Sequence, residues 1–209
     1  DGSEEATVYD DAGRVQSRST PAGTTRYEYD AADRITASID ASNRRTEHTY
    51  DANGNRQTTT LPSLGAGQPA RVIRYTYDDL NRLKRTDYPD ASFHTTNYRP
   101  DGRKSDETDQ RGVTTRTSYD PVGRLYTVQQ SGITRPTRYG YDEQGDKTLQ
   151  RDAHSNDVRW IPDPVARTHT RILPDGTREI YEHDLEGQVL AKTTFAGQRV
   201  QSTYDAAGR

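Results

Sequence analysis

Five histidines and 32 Asp plus Glu side chains are the groups in this sequence with acid–base or metal-binding chemistry to offer. His48, His94, His154, His169 and His183 show no tight ligand spacing, and a solvent-facing or sheet-packing role accounts for them. Asp51-Ala52-Asn53-Gly54-Asn55 has the acidic start of a calcium loop. Its glycine falls at the fourth place instead of the sixth, however, and Pro62 stands where the bidentate Glu belongs. Cysteine is absent, which excludes disulfides and zinc thiolates. No position combines a nucleophile, a base and an orienting partner. The expectation is a non-enzyme with no catalytic, cofactor-binding or metal site.

The aspartates are ordered by something other than catalysis. Tyr9-Asp10-Asp11-Ala12-Gly13-Arg14 sets a pattern, Tyr-Asp-x-x-Gly-Arg, that returns with first positions Tyr9, Tyr29, Tyr50, Tyr77, Tyr98, Tyr119, Tyr141, Pro162, His183 and Tyr204. The intervals are 20, 21, 27, 21, 21, 22, 21, 21 and 21 residues, so the chain reads as one repeat array over 1–209. Asp10, Asp30, Asp51, Asp78, Asp120, Asp142, Asp163, Asp184 and Asp205 hold the second position, with Arg99 the exception. The fifth position is Gly13, Asp33, Gly54, Asn81, Gly102, Gly123, Gly145, Ala166, Gly187 and Gly208. Asp and Asn are the non-glycine residues most tolerant of positive φ, so this position is expected to be left-handed, with Ala166 the misfit. Pro100, Pro121 and Pro164 at the third position suit a type I turn opened by an Asp acceptor. Each copy therefore predicts a hairpin turn with Gly in a bulge position, usually closed by an Arg such as Arg14, Arg124 or Arg209.

Two turns per repeat leave two strands of about six residues. The second turns are read at Pro21-Ala22-Gly23, Asp40-Ala41-Ser42-Asn43, Tyr88-Pro89-Asp90, Asp109-Gln110-Arg111-Gly112, Ser131-Gly132, Leu173-Pro174-Asp175-Gly176 and Phe195-Ala196-Gly197. Segment 61–70, rich in Pro and Gly, accounts for the 27-residue interval as a loop insertion. The strand entering each anchor alternates, as in Tyr27 and Tyr29, Tyr75 and Tyr77, Tyr139 and Tyr141, with Trp160 and Tyr181 at matching places, which puts these rings on one sheet face. Leu, Ile, Val and Phe make only 28 of 209 residues, while 28 Thr and 14 Tyr supply strand-forming surface. The fold class is all-β, a long antiparallel strip of about 21-residue hairpin units without a conventional core, held by contacts between neighbours.

Net charge is −3, with 29 Lys plus Arg interspersed among the acids, which argues against nucleic-acid binding. No apolar run approaches the length needed to span a bilayer. The chain contains no Met and stops directly after Tyr204-Asp205-Ala206-Ala207-Gly208-Arg209, so an internal segment of a larger chain is expected, with targeting signals outside it. Tyr27, Tyr29, Tyr75, Tyr77, Tyr139, Tyr141, Trp160 and Tyr181 could form a stacking platform for a sugar, although cross-strand tyrosine packing explains the same positions.

Tyr29-Asp30-Ala31-Ala32-Asp33-Arg34, Tyr50-Asp51-Ala52-Asn53-Gly54-Asn55-Arg56 and Tyr119-Asp120-Pro121-Val122-Gly123-Arg124, phased at 21 residues, closely resemble the Rhs or YD repeats of bacterial polymorphic toxins, Tc toxin C components and teneurins. The resemblance spans essentially all 209 residues. It departs at Arg99, Pro162, His183 and Ala166, and by an extra Asn55 in the third copy. It implies a curved sheet forming part of a hollow shell around a toxic C-terminal domain, exported from a bacterium. The implied partners are the rest of that shell, its enclosed toxin domain and components of a delivery system. An extracellular module binding carbohydrate or a receptor is the alternative within the same family. The family's self-cleavage motif continues Asp-Pro-x-Gly with Leu, whereas Asp120-Pro121-Val122-Gly123 continues with Arg124, so a turn is expected there.

Overall fold

Thr, Tyr and β-branched residues alternate with charges through short runs cut by Asp and Gly, and such runs can satisfy their backbone groups only by pairing with neighbours. The computed structural model describes residues 5–65, 67–163 and 168–205. It is all-β and antiparallel, with no helix among the described residues. The chain divides into two units, residues 1–113 and 114–209.

The first unit is a meander of ten strands: β1 (Ala6–Tyr9), β2 (Val15–Thr20), β3 (Gly23–Tyr29), β4 (Ile35–Ile39), β5 (Arg45–Tyr50), β6 (Arg56–Leu61), β7 (Arg71–Tyr77), β8 (Leu83–Asp87), β9 (Phe93–Tyr98) and β10 (Lys104–Thr108). Each strand pairs antiparallel with the next. The second unit repeats this plan with β11 (Thr114–Tyr119), β12 (Leu125–Gln130), β13 (Thr137–Tyr141), β14 (Lys147–Arg151), β15 (Asp157–Asp163), β16 (Thr168–Ile172), β17 (Arg178–His183), β18 (Val189–Thr193) and β19 (Arg199–Gln201). Leu61 ends β6 and pairs with Arg71, so the long connection is one residue shorter than 61–70.

The described anchor turns and most second turns share one construction, the two-residue loop between Thr20 and Gly23 and the turn at Ser131 being exceptions. Asp10 N–H donates to Arg14 O at 2.8 Å, Gly13 N–H donates to Asp10 O at 2.9 Å, and Gly13 has φ +79°. This is a three-residue loop built on a type I turn with a left-handed third residue. Asp33 (φ 61°) and Asn81 (φ 60°) take the left-handed place as the sequence implied, while Ala166 lies outside the described residues. Among the second turns, Ala91 and Ser155 do the same at φ 67° and 71°.

Beyond each loop the anchor hairpins carry a further irregularity. Tyr9 faces Val15 but Val8 faces Ser17, so Gln16 is an extra residue. The same slip occurs beside Tyr29, Tyr50, Tyr77, Tyr98, Tyr119, Tyr141 and His183. The hairpin whose first position is Pro162 instead pairs regularly out to Asp163 opposite Thr168. The described second-turn pairings show no slip.

There is almost no apolar interior. Ala37 (0% exposed) and Ala191 (1%) are the buried hydrophobic residues among those described, joined by Thr59, Thr86, Thr96 and Glu179. Ala37 lies in register between Glu28 and Glu47, and Arg45 bonds both, reaching Glu28 through two contacts of 2.6 and 2.7 Å. Ala191 sits in register with Glu182, which Arg199 bonds at 2.6 Å. In both places a small central residue lets an ion pair close over it, at the same spacing of Glu, Ala nine residues on and Arg eight further.

Candidate functional site: the inter-repeat clasp

The motif residues assemble into a clasp between successive repeats. Asp10 Oδ1 accepts from Ala12 N–H at 3.0 Å and Arg14 N–H at 2.9 Å, fixing the turn, while its Oδ2 takes Arg14 Nε at 2.8 Å. Held this way, the Arg14 guanidinium lies 4.8 Å from the Tyr29 ring centre, one repeat on, and also donates to Asp33 Oδ1 at 2.7 Å. Arg34 over Tyr50 (4.6 Å), Arg82 over Tyr98 (4.3 Å) and Arg124 over Tyr141 (4.7 Å) repeat the stacking. Each is a cation–π contact whose cation is already oriented by a carboxylate.

The tyrosine hydroxyl completes the clasp. Tyr29 donates to Val15 O at 2.8 Å, Tyr50 to Ile35 O at 2.7 Å, Tyr77 to Arg56 O at 3.0 Å, Tyr98 to Leu83 O at 3.0 Å and Tyr204 to Val189 O at 3.0 Å. Every acceptor is the first residue of the bulge in the preceding repeat. A bulge disturbs the ladder locally, and the next repeat's phenol supplies its carbonyl with a donor. The bonded guanidinium, foremost through its side-chain hydrogen bond, holds the Asp10, Asp30 and Asp78 carboxyls below the ordinary aspartate value.

The departures divide into repaired and unrepaired. At Arg99 the turn still closes, with Arg103 O and Gly102 N–H at 2.8 and 3.0 Å, and Asp101 takes over as the acceptor of the Arg103 N–H at 3.1 Å. Asn55 is not an extra residue. Tyr50 faces Arg56 as Tyr9 faces Val15, and Asn55 fills the arginine place, donating to Asp51 Oδ2 at 3.1 Å and Asn81 Oδ1 at 2.7 Å. In the second unit Asp146 stands in the arginine place, and Pro162 and His183 replace tyrosine. The structure brings these three to one concavity, with Asp142, Asp184 and His169. Gly102, Gly123, Gly145 and Gly187 are left-handed, with φ of 86°, 88°, 98° and 85°. Gly208 and Arg209 lie outside the described residues.

Within each unit the strand register puts the rings of the ladder on one face. Tyr75 stands opposite Thr86 and its hydroxyl donates to buried Thr59 at 3.4 Å, while His48 bonds the same Thr59 at 3.1 Å. All eight rings of the sugar-platform reading are half-buried. Four carry a cation over the ring: Arg14 on Tyr29, Arg124 on Tyr141, Lys147 on Trp160 (4.0 Å) and Lys192 on Tyr181 (5.0 Å). Tyr27, with Tyr9, Tyr29, Val15 and Ile35, borders an open concavity of about 470 Å³. Glu179, covered by its neighbours, accepts from Lys192 at 2.6 Å and Tyr181 at 3.0 Å, and the Lys192 bond lowers its pKa. No group of three or more His, Cys, Asp or Glu that could hold a metal occurs among the described residues.

Comparison with known proteins gives the same reading of the motif. A family model described as RHS Repeat matches residues 9–44. The double-stranded DNA deaminase toxin A of Burkholderia cenocepacia is 31% identical over 175 residues, covering 78% of this chain and 12% of that protein. Human Teneurin-4 is 27% identical over 214 residues, covering 96% of this chain and 7% of its own length. Among solved structures, the crystal structure of TcdB2-TccC3-Cdc42 aligns with a TM-score of 0.53 at 14% identity, over 90% of this chain and 12% of that one, a likeness of fold. The chain thus spans a small fraction of the length of the relatives it matches. With its Tyr, Asp, Gly and Arg returning in phase and joined from one copy to the next, the chain belongs to the Rhs-repeat family.

Proposed function

We propose that this chain is a non-catalytic length of wall in an Rhs shell that encloses a toxic C-terminal domain, exported from a bacterium with that cargo. The array is read as continuous over 1–209, its partners being the rest of the shell and the enclosed domain. One observation carries the reading: the side chains that define the motif are committed to the neighbouring repeat. The Tyr hydroxyls bond bulge carbonyls, the Arg groups stack on the next Tyr, and the Asp groups hold the Arg. The residue types that could act on a substrate are occupied in joining strands, as a wall requires. The deaminase toxin relative supports a toxin context.

Limited proteolysis of the full parent chain, native and after mild opening with denaturant, tests this. The expected result is a C-terminal segment that resists protease until the repeats open. Free cleavage of that segment while the repeats stay intact would overturn enclosure. The teneurin relative and the concavity bordered by Tyr9, Tyr27 and Tyr29 favour a second reading, an extracellular module binding carbohydrate. Glycan-array binding lost on Tyr27→Ala would support it.

A further inference from the structure

The charges that alternate in sequence do not alternate in space on the face opposite the tyrosines. In the second unit, register places Arg116 with Gln129, Arg138 with Arg151, and Arg159 with Leu149 on that face of β11–β15. The acids on this face are Asp157 and, at the far end of β15, Asp163; Asp157 is bonded to Arg151 at 2.6 Å and to Arg159 at 3.2 Å. Arg116 and Arg138 are exposed, and neither has an acidic partner among the described residues. Arg138 stands directly opposite Arg151, a like-charge pair that costs stability on a sheet. Gly140, in the next row, adds no side chain to the surface. The same face of the first unit is balanced, with Arg45 bonded to Glu28 and Glu47, and Arg85 to Asp87. The patch is therefore local, and it opposes the chain's net charge of −3.

We propose that this face of β11–β15 docks an extended, carboxylate-rich polypeptide segment. Strands about 4.8 Å apart set the arginines at steps of one or two spacings across the sheet, and alternate side chains of an extended peptide recur every 7 Å or so. A peptide lying across the strands can offer carboxylates to Arg116 and Arg138, two strands apart, whose planar forks bind carboxylates bidentately. Single-stranded nucleic acid fits less well, because its sites add aromatic stacking platforms and the rings of this unit's ladder point to the other face. The surface stands independently of whether the array encloses a cargo.

The test uses the full parent chain and a fluorescent peptide of alternating Glu and Thr, about twelve residues long, at low ionic strength. Saturable binding that weakens steeply with salt is expected. It should fall about tenfold in the Arg116→Ser, Arg138→Ser double variant. It should persist in the corresponding Lys double variant and in Arg18→Ser, a charge removed from the first unit. Equal affinity of the Ser double variant and the parent would overturn the proposal, as would absence of saturable binding. Tighter binding of oligothymidylate than of the peptide would also overturn it, making the face a phosphate reader.

Discussion

At the scale of the residue, the clasp assigns separate tasks to atoms of one motif, and single substitutions can separate them. Tyr50→Phe keeps the ring under Arg34 and removes only the donor to Ile35 O. It should cost about 1 kcal/mol in urea unfolding, the usual value of one hydrogen bond whose acceptor is left wanting. Tyr27→Phe, with no hydroxyl bond described, should cost a small fraction of that. An equal cost for the two would mean the hydroxyl bond to the bulge contributes nothing. Asp157 provides the test by pH. Hydrogen bonding from Arg151 holds its carboxyl down at about 2. A carboxyl depressed in the folded state contributes stability that is present above its unfolded value near 3.9 and disappears as pH falls toward 2. The thermal midpoint difference between the parent and Asp157→Asn should be constant above about pH 5 and shrink across that window. A difference that does not change with pH would deny the Asp157 carboxylate its role.

At the scale of the element, the hairpin turns were legible because their chemistry is local. Asp, two turn residues and a left-handed residue can be read in one short window, and Asp33 and Asn81 adopt the positive φ that their types suggest. Features that compare two strands were not legible. The extra residue beside each anchor tyrosine becomes visible only when Tyr9–Val15 and Val8–Ser17 are set side by side, so the partner of the phenol went unread. The turn at Asp152–Asn156 was missed because Ser155 takes the left-handed place that Gly usually marks. Asn55 looked like an insertion because Arg56 follows it, yet Asn55 fills the arginine position. Asn55→Arg should therefore restore a guanidinium between Asp51 and the Tyr77 ring and raise stability by about 0.5 kcal/mol, the scale of an exposed cation–π contact. A loss of stability would show that the Asn55–Asn81 bond is the better joint. Turn packing between repeats gives a stronger effect. Gly23 has φ +118°, and a Cβ there would lie 2.3 Å from the Ala41 Cβ of the next second turn. Gly23→Ala should cost roughly 2–4 kcal/mol through backbone strain and overlap together. Ala41→Gly in the same chain should recover only the overlap. Full recovery would assign the whole cost to overlap, and none would assign it to the backbone.

At the scale of the whole molecule, the consequence of a sheet without a core is stability spread along the ladder. The chain exposes 14497 Å², where a compact protein of its 23.6 kDa would expose roughly 9,800 Å². Little apolar area is withdrawn from water, so the heat-capacity change on unfolding should fall below the roughly 2.5–3 kcal/mol/K usual for 209 residues. Each strand depends on its two neighbours, and the array should open at its least-paired seam. Within the second unit that seam is β12–β13, which has only two register partners, Thr127 with Arg138 and Val128 with Thr137. Its flanking pairs β11–β12 and β13–β14 have five and four. The chain also leaves the ladder between them, with Ser131 bonding back to Thr114 O at 2.7 Å instead of continuing toward β13. Hydrogen exchange followed by mass spectrometry should show Thr137 and Arg138 losing protection before the amides that join β16 to β17, where five partners hold. Arg138 faces both Thr127 and Arg151, so Arg138→Thr, which relieves the like-charge pair with Arg151, should slow that opening. Uniform exchange across the second unit would mean that it opens as one cooperative body and that repeat-by-repeat stability is the wrong description.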